Sequence, residues 1–506
     1  MKDTAWNRLG CYLKETQILG SIQSTLYWDQ NTLMPKKGSS WRAEQLTYLA
    51  KNLHIRNSSN EFAELINSAA NELKDLDLDL DSKDEKISKE LNIKLLNQEL
   101  DRQRKLDPKL VEKLARAKSK GYESWQQAKI DSDYKIFLPF FKELIDLRTE
   151  EAKQLSTKYT PWETLAQPYE PDITKEILGN IFNPLRKSIP SLLEKVKNLK
   201  KKEWDIDPSA QKMLCSKLLD EFGREKELVA VAESPHPFSI TLGPRDFRIT
   251  TRIVKGEPFS SLLATAHEWG HSIYEQGLPA QSHQWFSWPL GQATSMAVHE
   301  SQSLFWENRI VKSKSFAKGF FGNFSQQGCP LENYLEFWKA INIFKTGLNR
   351  VEADELSYGL HILIRTELEI ELIEGNLNPK DLPDEWNKKY QELLGIRPPN
   401  DSQGCLQDVH WSEGAFGYFP SYLIGHLISA QISDSLESDI GLIDELVENK
   451  DYKKIILWLK ENVHCYGRSI NAMELVKKVS GNDLSPNYLI NYLKRKIDAL
   501  NKNNFE

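Results

Sequence analysis

The chain has 506 residues, with 66 Lys plus Arg against 72 Asp plus Glu, a formal charge of −6, and 40% hydrophobic and 27% charged residues. This is a globular make-up that excludes a disordered or collagenous chain, and its acidic balance leaves nucleic acid without a basic surface to bind. No apolar run reaches the ~18 residues of a membrane helix, and the opening MKDTAWNRLGCYLKE lacks the apolar stretch of a secretory signal.

In chain order, the first marked feature is the acidic run Asp75 to Asp81. Asp77, Asp79 and Asp81 imitate the start of a calcium loop, but Ser82 and Ser88 stand where such a loop needs Gly and Glu, so a solvated turn is expected. Leu and Ile at three-to-four spacing among charges then predict helices over 84–106, 108–119, 135–158 and 174–203. The exception is 235–256, where PHPFSITL and FRITTRIV alternate around Gly243-Pro244-Arg245-Asp246 and predict a β-hairpin. Helical spacing resumes in FSSLLATAHEWGHSIYEQGLP, with Gly277 and Pro279 as a stop, then over 299–307, 331–375 and 440–499. No Pro/Gly/Ser linker divides the chain, so a single unit over 1–506 is expected, with lobes at 1–230 and 231–506. The fold class is mainly α, a large multi-helical body with one small β element beside the site. The five cysteines, Cys11, Cys215, Cys329, Cys405 and Cys465, are odd in number and far apart, which suits a reducing cytoplasm better than a disulfide framework.

The chemistry centres on His267-Glu268-Trp269-Gly270-His271. Two histidines four apart on a helix face one way and can share an ion, while the Glu between them reaches a water at that ion. Such a motif is expected by chance about 0.01 times in a chain of this composition. A catalytic zinc takes a third protein ligand and keeps one position open. Glu275, His283, His299 and Glu300 are candidates; Glu275 is a turn too far along, and Glu300 is chosen over Glu307 because it lies nearer the expected helix start. The reading is hydrolysis of a peptide bond, with zinc activating water and Glu268 as general base.

Further motifs give the chain a resemblance. Trp28-Asp29-Gln30, Met34-Pro35, Arg42-Ala43-Glu44-Gln45, His236-Pro237-Phe238, Asp246-Phe247-Arg248-Ile249-Thr250, His299-Glu300-Ser301-Gln302, Arg350-Val351-Glu352-Ala353-Asp354 and Gly404 to Trp411 all accompany the metal helix. Together they resemble the thermostable carboxypeptidase Taq family of zinc metallocarboxypeptidases over the chain to about residue 430, with Asn349 where the family pattern has Ile. The resemblance implies a helical grooved fold, removal of single residues from peptide C-termini, one zinc replaceable by cobalt, and a homodimer. It carries the metal ligands to His267, His271 and Glu300 and the general base to Glu268.

A carboxypeptidase must grip a free carboxylate, for which an Arg fork is suited. Arg350 is the first choice, with Arg248 or Arg252 in reserve; the competing reading pairs Arg350 with Glu352, Asp354 or another acidic neighbour. His410 with Tyr418 or Tyr422 are candidate donors to an oxyanion or contacts for substrate, the rival reading for the aromatic run being core packing. Asp408 is a candidate partner for His410 or a metal-bound imidazole, and Asp246 a second outer carboxylate, although it also sits two residues before Arg248 on one strand face. Asp29, Gln30 and His236 are motif members of open role, and His54, His361, His426 and His464 read as structural. Two other readings remain: an oligoendopeptidase or dipeptidyl carboxypeptidase on the same metal helix, and a non-catalytic helical scaffold with a structural metal.

Overall fold

The computed structural model describes residues 4–74, 83–196, 204–281 and 285–502. The acidic run at 75–82, the tail of the expected 174–203 helix and His283 lie outside the described residues. Twenty α-helices and one three-stranded sheet are present among the described residues. None of these helices is long and apolar enough to cross a membrane.

Local chemistry sets most helix starts. Thr4 accepts from Asn7 N at 3.2 Å to begin Ala5–Thr32, Asp107 caps Pro108–Asp131, Asp133 caps Tyr134–Leu155, and Asn471 with Glu474 forms a reciprocal cap for Ala472–Ser480. Helix Lys83–Lys105 follows its prediction closely. Helix Pro108–Asp131 runs twelve residues past the predicted end at 119. Its extension is buried through Gly121, Ser124 and Ala128, small residues that carry no apolar signal. A Cβ on Gly121 would stand 2.7 Å from both Leu144 Cδ1 and Ser412 O, so the backbones meet there.

Two long predictions break. The segment 331–375 forms Tyr334–Ile341 and Tyr358–Ile373 with non-helical chain between. Asp354 accepts from the amides of Lys345 (3.1 Å), Leu356 (2.8 Å) and Ser357 (2.9 Å), and Asn342 Nδ2 donates to Lys312 O (3.1 Å) and Trp338 O (2.8 Å). These side chains offer the backbone partners outside a helix. Asn349, the residue unlike the family pattern, caps the one-turn 3₁₀ helix Arg350–Glu352 through Val351 N at 3.2 Å. The region 440–499 divides into Ile443–Glu448, Tyr452–Asn462, Ala472–Ser480 and Pro486–Lys502. Lys450, Gly467 and Gly481, all at positive φ, mark the turns between them.

The hairpin is present as β2 (Ser239–Gly243) and β3 (Asp246–Thr251), with the register Ile240 opposite Arg248. A third strand that the alternation did not reveal, β1 (Val229–Glu233), pairs parallel to β3, giving the order β1-β3-β2. Helix Ser260–Gly277 is locked beneath β3: Thr251 Oγ1 donates to Ser261 O at 3.0 Å and Thr265 Oγ1 meets Thr251 Oγ1 at 3.0 Å. Helix Ala5–Thr32 closes over β2, where Ser21 Oγ donates to Leu242 O. The large core runs from Ala128 to Leu500, so the expected lobes at 1–230 and 231–506 share one core across that boundary. A smaller cluster joins Ala5, Leu9 and Leu100 to Trp288, which stacks on Trp6 at 4.0 Å.

Three helices meet at the metal motif. Helix Ser260–Gly277 crosses helix Met296–Leu304 with Gly270 against it, and a Cβ there would lie 2.5 Å from both Gln302 O and Ser303 Cα. Helix Pro420–Ile440 covers the other side, where a Cβ on Gly425 would lie 2.9 Å from Ala297 O and from Glu300 Cβ. Gly270→Ala is therefore expected to cost roughly 2 kcal/mol or more by overpacking in chemical denaturation. Gly20→Ala, in helix Ala5–Thr32 with nothing within 4 Å of the new methyl, should instead be neutral or stabilise by about 0.5–1 kcal/mol.

Candidate metal centre and active site

His267, His271 and Glu300 come together: one ligand atom from each lies within 4.8 Å of the others. Glu300 Oε2 stands 3.8 Å from His267 Nε2 and 3.7 Å from His271 Nε2. Each imidazole is fixed from behind. His267 Nδ1 donates to Glu307 Oε2 at 3.1 Å, and His271 Nδ1 to His299 O at 3.2 Å. With Nδ1 so engaged, Nε2 is in each case the nitrogen that faces the Glu300 carboxylate and the one left to bind a cation once it has given up its proton. Two imidazoles and one carboxylate fit a divalent cation that keeps a position open.

The reason given for Glu300 in the sequence needs correction. Ser295 caps the helix through Val298 N at 3.2 Å, so Glu300 sits in the middle of Met296–Leu304 and not at its start. What aims it is the close crossing at Gly270 and Gly425. Glu307 lies in a π-helical turn, Phe305–Val311, and its carboxylate braces His267 while Lys312 Nζ holds its other oxygen at 2.7 Å. The wide turn has no signature in a hydrophobic pattern, so this partner was missed. Glu275 and His299, the other candidate ligands, pair with each other at 3.0 Å, and the His299 ring stacks on His271 at 4.4 Å.

Burial and neighbouring charge set the electrostatics. Burial opposes charge on His267, but Glu300 and Glu307 outweigh it and raise the imidazole to about 10, which marks a place where positive charge is favoured. His271 is pushed well below its ordinary value by burial and by His299. Glu307 is held down to about 2, because Lys312 and His267 overcome its burial. Burial pushes the Glu268 carboxyl up to about 7; a cation beside it would pull that value back down.

Arg350 is buried, and its acidic partner is Asp408, neither Glu352 nor Asp354: Nε donates to Asp408 Oδ1 at 2.9 Å. Arg365, fully buried on helix Tyr358–Ile373, holds the other Asp408 oxygen at 2.5 Å. Asp408 is 4.0 Å from His410 Nδ1, which has no hydrogen-bond partner among the described residues, so it does not hold His410 by a hydrogen bond; nor does it hold the metal-motif imidazoles, whose partners are Glu307 and the His299 carbonyl. Asp246 is likewise no outer carboxylate of the centre. Its two oxygens accept from Arg248 Nε and Nη2, each at 2.9 Å, which also commits the Arg248 fork expected to meet substrate. That guanidinium lies over Trp28 at 5.7 Å, and Trp28 meets Phe238 at 5.5 Å. Asp29 accepts from Arg42 Nη2 at 2.6 Å, so the early motif residues bind one another.

His410 opens a 3₁₀ turn, His410–Glu413, with its ring 5.3 Å from Tyr418 and 4.7 Å from Phe419. Burial pulls it down to about 4, so it is a neutral imidazole at pH 7. Tyr418 and Tyr422 hydroxyls are 3.5 Å apart, and the Arg350 guanidinium lies 5.2 Å from the Tyr422 ring. Glu369, another residue missed in the sequence, clamps this loop on both sides of its turn. It accepts from Trp411 Nε1 (3.2 Å), Gly417 N (3.0 Å) and Trp162 Nε1 (3.1 Å). Gly417 has φ +83°, and a Cβ there would lie 2.6 Å from Ala166 Cα. A cavity of about 760 Å³ lies behind the loop, among Arg102, Lys118, Arg148, Tyr169 and Gly414, and is lined by none of the three metal-motif residues.

The family model described as Carboxypeptidase Taq (M32) metallopeptidase matches residues 8–497. Thermostable carboxypeptidase 1 of Thermus thermophilus is 33% identical over 98% of this chain and 99% of its own length. Carboxypeptidase 1 of Bacillus subtilis is 33% identical over 96% and 97%. Among solved structures, the M32 carboxypeptidase from Deinococcus radiodurans superposes with a TM-score of 0.92 at 29% identity, covering 98% of this chain and 99% of that one. Metallocarboxypeptidase 1 of Trypanosoma cruzi gives 0.91 at 30% identity, covering 97% and 99%. A chain matched over residues 8–497 by this family, with three side chains placed so that they could share a metal ion, belongs to the carboxypeptidase Taq family of metallopeptidases and is a metal-dependent carboxypeptidase, not a non-catalytic scaffold.

Proposed function

We propose that the metal is zinc, one per chain and replaceable by cobalt, held by His267 Nε2, His271 Nε2 and Glu300, and that Glu268 is the general base for hydrolysis of the C-terminal peptide bond. The observation that carries this reading is the converging set of two imidazoles and a carboxylate within 4.8 Å, beside a second buried carboxylate, Glu268. When bound, the cation supplies Lewis acidity at the scissile carbonyl. Glu268 takes the proton of the attacking water and passes it to the leaving amine. His410 and Tyr418 donate to the developing oxyanion, the buried His410 doing so as a neutral imidazole. Arg350, its charge sustained in the interior by Asp408, meets the substrate carboxylate, with Tyr422 against its guanidinium face.

The substrates are peptides with a free C-terminus, and the chain acts as one peptidase unit. We place it in the cytoplasm, which suits its five free cysteines, and as a homodimer, which rests on the family resemblance.

Glu268→Gln enzyme is expected to keep its metal content and fold while kcat falls by roughly 10²–10⁴. Wild-type kcat in metal-replete protein would refute the base assignment. Glu307→Gln removes the anionic brace on His267, and metal affinity should fall about 10–100-fold in chelator competition, with zinc or cobalt in excess restoring activity. A peptide with a free C-terminus should lose single residues in mass spectrometry while its amidated twin stays intact. Equal internal cleavage of both would establish the oligoendopeptidase reading instead.

A further inference from the structure

Behind the metal centre, four elements bury charged or polar side chains against one another. Arg309 comes from the π-helical turn, Glu355 from the segment after Arg350, His426 from helix Pro420–Ile440 and Lys496 from helix Pro486–Lys502. Their exposures are 5%, 7%, 2% and 7%, so all four are out of water. Lys496 Nζ donates to Glu355 Oε2 at 2.5 Å and to Tyr492 Oη at 3.1 Å, and Tyr492 Oη donates to Asn308 O at 3.1 Å. The central carbon of the Arg309 guanidinium lies over the Tyr492 ring, 3.3 Å from its centre.

Among the described residues, none of the three Arg309 nitrogens has a hydrogen-bond acceptor, neither His426 ring nitrogen has a group within hydrogen-bond distance, and Glu355 Oε1 has no donor that close. Glu355 Oε1 and His426 Nε2 stand 3.7 Å apart, beyond a hydrogen bond. The charges do not balance either. Arg309 and Lys496 are two cations and Glu355 is the one carboxylate among the four, while burial disfavours a charge on His426. The nearest further pair, Lys312 with Glu307, is neutral in itself at 2.7 Å. A guanidinium does not release its proton, and a buried charge without a partner is costly.

We propose that the Arg309 guanidinium, buried over the Tyr492 ring with none of its nitrogens hydrogen-bonded, binds one small monovalent anion of chloride size that completes the charge count of this buried cluster. The site is independent of the catalytic roles assigned above, but it is joined to them. Arg309 lies two residues after Glu307, which braces His267, and Glu355 lies five residues after Arg350. The bound anion steadies both segments from behind.

The test uses metal-loaded, full-length enzyme at fixed ionic strength, with chloride exchanged for gluconate, a much larger anion. Chloride should raise Tm in a saturable way, by on the order of 2 °C, and crystals grown with bromide should show an anomalous peak beside Arg309. Arg309→Gln should lose the saturable shift. The proposal is overturned by equal Tm in chloride and gluconate, by an unaltered shift in Arg309→Gln, by bromide peaks only at the surface, or by waters alone bridging Arg309 to Glu355. The titration and the diffraction use wild-type protein, so they decide the matter even where the variant does not fold.

Discussion

The close crossing of helices Ser260–Gly277 and Met296–Leu304 is the constraint on which the site depends. Backbone meets backbone at Gly270, where no side chain fits between it and Gln302 or Ser303. That approach brings a carboxylate from the second helix within 4 Å of both imidazoles of the first. Gly425 repeats the device from helix Pro420–Ile440, which presses on the Glu300 stem itself. Packed interiors deform little, so three helices held at contact distance give ligand atoms fixed positions before any ion arrives.

Around this crossing, charge is arranged in layers. Lys312 holds Glu307, Glu307 holds His267, and the imidazole turns its free nitrogen inward. On the opposite wall, Asp408 lies between Arg350 and Arg365. A single buried carboxylate would be costly; two guanidinium groups offset that cost and hold Asp408 far below its ordinary value. Glu369 uses three N–H donors in place of a cation, and burial still lifts it to about 8. It spends that burial on fixing the loop of His410 and Tyr418 through Trp411 and Gly417.

Much of this was legible in residues 260–277, because a helix face is a matter of local spacing: His267 and His271 are on one side wherever the helix packs. The hairpin was legible for the same reason, its alternation and turn lying within a few residues. Strand β1 was not, since its register partners in β3 are 18 residues away and a five-residue strand carries little pattern. Long helices over 331–375 and 440–499 were overestimated, because Asn342, Asp354 and glycines at positive φ redirect the backbone without disturbing hydrophobic spacing. Arg248 and Asp246 were assigned outward roles, yet two residues apart on one strand face they satisfy each other.

The sequence by itself determined the kind of chemistry, the two imidazoles and the adjacent Glu268, and the mainly helical body, all of which follow from short-range periodicity. Tertiary structure decided the rest. It set Glu300 as the carboxylate facing the histidines and Glu307 as the brace, although the two lie only seven residues apart. It also gave Arg350 its partner 58 residues away in Asp408. Those choices turn on which backbones can touch and which charges share a dry interior, and both are fixed only when distant segments are packed together.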